Sequence, residues 1–246
     1  MQSDGYFDQS VAATYDDDVE SDRGEAVDPL VDCLAELAGG GRVLEFGIGT
    51  GRIALPLAMK GVEVQGIDQS QAMLAQLAAK PGGDRLPVTQ GDFATTCCEG
   101  SFSLVYLIFN TIMNLTMQEA QVRCFQNAAS HLAPGGRFVI EVMVPALQRL
   151  PLGETHQAFE CRDDHWGIDI YDVVSQTVQS HHMRVRNQVV ERSSIPFRYV
   201  WPSELDLMAR IADQKLTARW GGWQQEPFTN PRRYHVSVWE KPTADD

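Results

Sequence analysis

Two patterns of apolar positions alternate along this 246-residue chain. Compact apolar runs between turn residues read as buried strands, and segments with apolar residues every third or fourth position read as helices. Val27, Leu30, Val31 and Leu34 share one helical face, with Pro29 in its first turn and Gly39-Gly40-Gly41 ending it. Arg42–Phe46 is a first strand, followed by a glycine loop and a helix through about Lys60. Val62–Ile67 is a second strand, after which Ser70 is placed to cap a helix carrying Ala72, Met73, Leu74 and Leu77. Leu86–Gln90 and Phe102–Ile108 are third and fourth strands. Thr116-Met117-Gln118-Glu119 has capping-box spacing and opens a helix with Val122, Phe125, Ala129 and Leu132 inward. Pro134-Gly135-Gly136 then turns the chain into a fifth strand, Arg137–Met143.

Alternating strands and helices imply a parallel sheet covered on both faces, hence an α/β class. The near-continuous apolar character of the strands agrees with two-sided burial. Beyond Pro145 the character changes. Residues 157–200 carry alternating and β-branched segments, such as Ile168-Asp169-Ile170-Tyr171 and Val189-Val190-Glu191-Arg192, and read as an antiparallel insertion of three or four strands. A helix from about Ser203, with Leu205, Met208, Ile211 and Ala212 inward, precedes two closing strands near Lys215–Trp220 and Tyr234–Glu240. Residues 1–24 show an acidic run, Asp16-Asp17-Asp18, and no sustained periodicity, so they read as an arm.

Composition narrows the function. With 33 acidic against 20 basic residues the net charge is −13, which repels a polyphosphate backbone and argues against a nucleic-acid partner. Arg184, Arg186, Arg192 and Arg198 fall in one stretch, but acids are interspersed, as on a solvated strand face. No apolar stretch is long enough to span a membrane, and the first twenty residues are polar and acidic, so a cytoplasmic protein without a membrane partner is expected. The five cysteines are odd in number and lack zinc-like spacing, so reduced thiols and no metal are expected.

The chemistry concentrates in Glu45-Phe46-Gly47-Ile48-Gly49-Thr50-Gly51-Arg52. Between a strand and a helix, glycines allow a tight turn and a close approach of ligand to backbone. A dinucleotide fingerprint needs a glycine where Arg52 stands, and a pyrophosphate disfavours a carboxylate such as Glu45 at the loop mouth. A zwitterionic ligand with an ammonium and a sulfonium suits both the acid and the free N–H groups of the following helix. Asp68, ending the second strand 21 positions past Gly47, lies where an acid meets ribose hydroxyls. Asp92, in Gln90-Gly91-Asp92-Phe93 after the third strand, suits an adenine amino group.

This order, E-x-G-x-G-x-G, then Asp68, then Gly91-Asp92, resembles the class I, Rossmann-like methyltransferases that depend on S-adenosylmethionine (SAM). The likeness covers roughly residues 40–145 well and the insertion poorly. It implies a doubly wound mixed sheet of about seven strands, mixed because the last two strands form a closing antiparallel hairpin, with the antiparallel β subdomain inserted. It divides the chain into an arm or lid (1–24), a SAM-binding core (25–145), an insertion serving as substrate cover or dimer contact (146–200), and a closing helix with two strands (201–246). It places Glu45, Gly47, Gly49 and Gly51 around the methionine moiety and Asp68 on the ribose. Gln69 and Met73 would border the adenine, Asp92 and Phe93 would complete its pocket, and Phe109-Asn110 would lie under the sulfonium. In similar enzymes an aromatic of the arm reaches the cofactor, and Tyr15 is the candidate.

The implied reaction is direct in-line transfer of a methyl group from SAM to a nitrogen or oxygen of a small-molecule acceptor, leaving S-adenosylhomocysteine. No catalytic base is assigned. His181 and His182 are adjacent on a predicted strand, so at most one faces a site. Trp220 and Trp223, around Gly221-Gly222, are candidates for an aromatic wall or for core. Exposed inserted strands offer a homodimer surface. The competing readings are a SAM-binding sensor or partner subunit without transferase activity, and a nicotinamide-dependent oxidoreductase.

Overall fold

The computed structural model describes residues 6–23, 27–186 and 188–243. Seven strands form the main sheet: β1 (Val43–Phe46), β2 (Val64–Asp68), β3 (Val88–Gln90), β4 (Phe102–Leu107), β5 (Leu132–Met143), β10 (Lys215–Trp220) and β11 (Tyr234–Glu240), in the order β10-β11-β5-β4-β1-β2-β3. β1 to β5 pair in parallel, and β11 pairs antiparallel with both β5 and β10, so it alone runs against the sheet. The connectivity reverses between β1 and β4, which leaves a crevice at their carboxyl ends.

Alternate residues of each central strand enter two cores. On one face Val43, Leu104 and Val139 pack under α2 (Asp28–Ala38) and α3 (Ala54–Met59). On the other, Leu44, Val105 and Phe138 pack under α5 (Gln118–His131) and α6 (Pro202–Ile211). Trp239 of β11, wholly buried, meets the Phe125 ring edge-on at 5.2 Å, and Phe125 meets Phe138 at 5.0 Å. The Trp239 indole N–H donates to Asp206 of α6 at 3.1 Å, and the same carboxylate takes two bonds from Arg219 of β10.

The inserted strands β6 (His156–Cys161), β7 (His165–Asp172), β8 (Thr177–Arg186) and β9 (Val189–Arg198) form a separate antiparallel sheet in chain order. Its root is tied down by a buried polar knot. Arg198 donates to Gln121 of α5 at 2.5 Å and to Glu204 of α6 at 2.7 Å, while the Gln121 amide returns a bond to the Arg198 carbonyl at 3.1 Å. Tyr171, Val178 and Tyr199 complete the apolar side of that junction.

Four local expectations change. The arm is largely helical, as α1 (Gln9–Arg23). Its polarity hid it, because α1 is held by charged and hydroxyl contacts more than by an apolar stripe. The capping box does not form: α5 begins at Gln118 with Met117 as its N-cap and no side-chain bond, and Thr116 lines a cavity instead. In α6, Ile211 is 57% exposed and Ala209 takes the inward place four residues after Leu205. Leu132 starts β5, which carries Pro134-Gly135-Gly136 within it. Elsewhere the caps are as read: Ser70 accepts from the Met73 N–H at 3.1 Å, Pro29 lies in the first turn of α2, and Gly39 closes it with φ +57°.

No helix among the described residues is long and apolar enough to cross a membrane. Trp239→Ala removes the largest buried side chain and is expected to lower unfolding free energy by about 3–5 kcal/mol, read from urea midpoints.

Candidate functional site

The glycine loop after β1 is shaped by backbone that side chains resist. Gly47, Gly49 and Gly51 all have positive φ, at +72°, +53° and +75°. A Cβ on Gly47 would meet Thr111 at 2.9 Å, and one on Gly51 would meet Leu77 of α4 (Gln71–Ala79) at 2.3 Å. Gly51 thus serves helix packing, whereas Gly49, with Met73 and Asp68 as its nearest side chains, opens on the crevice. Asp68 fixes the loop: one carboxylate oxygen accepts from the Gly49 N–H at 2.8 Å and the other from the Ser70 N–H at 2.8 Å.

Above this loop lies a cavity of about 420 Å³, within the range of sites that bury a small organic ligand. Gly47, Gly49, Asp68, Gln69, Met73, Asp92, Phe93 and Tyr15 all line it. Asp92 accepts from the Ala94 N–H at 2.8 Å, and Phe93 stacks on Phe46 with centroids 5.9 Å apart, so both are held in place. The wall is completed by residues not expected at the site, including Tyr6, Phe7, Leu115 and the Thr116-Met117 pair expected as a helix cap. The aromatic pair was a legible signal in the arm, whereas the segment before α5 signalled only a helix start.

Glu45, Gly51 and Asn110 are not among the lining residues. Glu45 is 4% exposed, and the Arg52 guanidinium of the loop and the Ala54 N–H lie near its carboxyl. Its carboxyl accepts from the Tyr106 hydroxyl at 2.7 Å. Asn110 accepts the Met143 N–H at 2.7 Å and so ties the end of β4 to β5. Phe109, in left-handed conformation at φ 56°, lies beside two further cavities.

The first of these, about 520 Å³, shares Tyr6, Phe7, Tyr15, Thr111, Asn114 and Ile195 with the loop cavity. α1 roofs it, and the inner face of β8 and β9 forms its far wall, including His182, Arg184 and Arg186. His181 takes the opposite face and bonds Ser194 at 2.6 Å. The acidic run is what holds the roof down. Asp16 accepts from the Thr50 hydroxyl at 2.6 Å and pairs with Lys80, while Asp18 pairs with Arg184 and Arg186. Ser70, already the cap of α4, also donates to the Phe7 carbonyl at 2.5 Å. The second cavity, about 580 Å³, lies on the other side of Phe109, whose ring carries the Arg52 guanidinium at 3.9 Å from its centroid. Trp223 lines it and donates to Glu141 at 3.3 Å, whereas Trp220 packs against the sheet core.

Residues 43–136 match the model of a methyltransferase domain family. The chain is 32% identical to the CcbJ methyltransferase from Streptomyces caelestis, a solved structure, with 98% of this chain and 100% of that one covered and a TM-score of 0.83. This chain belongs to the class I SAM-dependent methyltransferases. It is also 26% identical to the cypemycin N-terminal methyltransferase of a Streptomyces species, over 82% of this chain and 84% of that protein. A SAM-bound amino pentose methyltransferase from Micromonospora echinaspora, CalS10, shares the fold at 18% identity, TM-score 0.67, covering 89% and 93% of the two chains. SAM is therefore the cofactor, and the mixed seven-stranded sheet is that of the family. Among the described residues, no cluster of three or more His, Cys, Asp or Glu is placed to hold a metal ion.

In this methyltransferase the motif acid has an unusual environment. Burial pushes the Glu45 pKa up to about 8, against the bond from Tyr106 and the nearby Arg52 charge, which favour the ionised form. A folded-state value above the unfolded 4.5 means that folding takes up a proton, so this group's contribution is lost as pH rises through about 8. Glu45→Gln, which mimics the neutral acid, is expected to gain about 2–4 kcal/mol over the parent between pH 5 and 9. Denaturant titrations across that range check it, and a pH-independent difference would show that Glu45 is ionised throughout.

Proposed function

We propose that this methyltransferase moves the SAM methyl group to a nitrogen or oxygen of a small organic acceptor held in the cavity beneath α1. An amine is the acceptor that suits the site best. The observation that carries this reading is the shared wall between the loop cavity and the α1 cavity. Its six residues offer hydroxyl, amide and apolar groups and, among the described residues, no carboxylate or imidazole. A neutral amine needs no base to attack, whereas an unactivated hydroxyl does. Two of the three relatives support the same choice by name, one a cypemycin N-terminal methyltransferase and the other an amino pentose methyltransferase.

Bound SAM supplies an activated methyl on its sulfonium, so the chain's task is alignment. We assign Asp68 to the ribose hydroxyls: it lines the loop cavity, and both its oxygens are oriented there by backbone N–H groups. Gln69, Met73, Asp92 and Phe93 form the adenine end of the cavity. Gly47 and Gly49 form the floor nearest β1. Tyr15 and Tyr6 close the junction from above, and Phe109 borders the acceptor side. α1, clamped at Asp16 and Asp18, excludes water from that junction.

Two measurements test this. In calorimetric titration, Asp68→Ala is expected to weaken SAM binding by about 1.5–3 kcal/mol, and unchanged affinity would remove Asp68 from the site. Incubation with SAM and a panel of amino sugars, amino acids and their hydroxyl-only analogues is expected to yield S-adenosylhomocysteine with amines alone. Turnover confined to the hydroxyl analogues would overturn the amine assignment.

A further inference from the structure

On the inner face of the four-stranded sheet, side chains of neighbouring strands form a hydrogen-bonded series that reaches the α1 cavity. Arg162 Nη2 lies 3.2 Å from His165 Nδ1, His165 Nε2 lies 3.0 Å from His182 Nδ1, and His182 Nε2 lies 3.3 Å from Ser180 Oγ. The Ser180 hydroxyl bonds the Asp169 carboxylate, its direct partner across β7 and β8. The two imidazole planes differ by 10° with centroids 5.3 Å apart, which is compatible with an N–H···N bond between ring edges. Gly167, opposite His182, makes the arrangement fit, because a Cβ there would lie 2.2 Å from the Phe159 ring that packs edge-on against both histidines.

The proton positions follow from the two ends. A guanidinium only donates, so His165 Nδ1 accepts and the ring carries its proton on Nε2. That N–H donates to His182 Nδ1, which leaves the His182 proton on Nε2. At the far end a carboxylate accepts from Ser180, which frees the Ser180 oxygen to accept from His182. Every bond therefore points the same way, from Arg162 to Asp169. Protonating His165 Nδ1 would break the first bond and set a cation against Arg162 in a ring that is 2% exposed.

We propose that His182 is a specificity-determining residue of the acceptor cavity, wired by Arg162 and His165 as a neutral Nε2–H donor. Its one remaining lone pair is occupied by the His165 N–H, so it does not serve as the base. Its N–H, whose bond to Ser180 is long at 3.3 Å, is offered to an oxygen of the acceptor, a hydroxyl or carbonyl near the reacting amine. The acceptor class is thus an oxygen-bearing amine. This assignment of the acceptor rests on the reading that the α1 cavity is the acceptor site; the tautomer assignment does not.

Two-bond nitrogen–proton correlation spectra of the full chain, free and with S-adenosylhomocysteine at pH 7.5, read the tautomers directly. His165→Gln and His182→Gln assign the two rings among the six histidines. The expected result is two neutral rings, each with the proton on Nε2, and loss of the single His165 form in Arg162→Met. A cationic ring, an Nδ1–H form of His182, or spectra unchanged in Arg162→Met would overturn the wiring. With an amine acceptor from the panel, His182→Phe is expected to raise the acceptor KM about tenfold with kcat within about threefold, and His182→Gln to recover most of that loss. A fall in kcat of about 10²–10⁴-fold would instead mark a base and overturn the donor role. If no amine turns over, the acceptor reading fails, while the spectra still decide the tautomer.

Discussion

The carboxylate of Asp68 holds together the two segments on which the site depends. It ends β2, yet it binds the N–H of Gly49 in the loop after β1 and the N–H of Ser70 at the start of α4. Charge-assisted bonds of this kind are stronger than neutral ones, and two of them from one side chain fix its orientation as well as that of the backbone. The glycine loop, the cap of α4 and the floor of the cavity are therefore set by one residue. Ser70 extends the arrangement outward, since the hydroxyl that caps α4 also takes hold of the Phe7 carbonyl.

The N-terminal helix belongs to the site as much as the sheet does. Its acidic run faces two ways: Asp16 reaches the glycine loop and Lys80, and Asp18 reaches the arginines of β8. Isolated exposed ion pairs contribute little, but these are partly buried and act together on a short element. α1 in this way joins the glycine-loop side of the crevice to the antiparallel sheet, and the cavity it roofs has walls from both. The polar knot of Arg198, Gln121 and Glu204 does the same at the base of that sheet. The inserted sheet is thus seated rigidly enough to present His182 and the arginines at a defined place.

Glu45 stands before the glycines and is held by the strand that carries it. The alternation of β1 puts it on the face of Val43, toward α2 and α3, where one carboxyl oxygen accepts from the Tyr106 hydroxyl and the Arg52 charge lies near. The same geometry accounts for Gly51, which the packing of Leu77 requires, and for Asn110, which bridges β4 to β5.

What the amino-acid sequence determined by itself was local and periodic. Apolar runs and helical stripes specified the strands of the sheet, the inserted strands and the closing pair, because burial on one or two faces leaves a repeat in the chain. Glycines at positive φ, the Ser70 cap and the acids after β2 and β3 marked the loop cavity, because each answers a backbone or charge requirement within a few residues. What only the tertiary structure decided were relations between distant segments. The helix in the arm was hidden because its partners, Thr50, Lys80, Arg184 and Arg186, lie far along the chain. Thr116 left its capping place for the cavity wall, and which of His181 and His182 faces inward depended on the register of β8 between its neighbours. Such pairings leave no period in the sequence, since they are set by where folding brings two surfaces together and not by what either surface is.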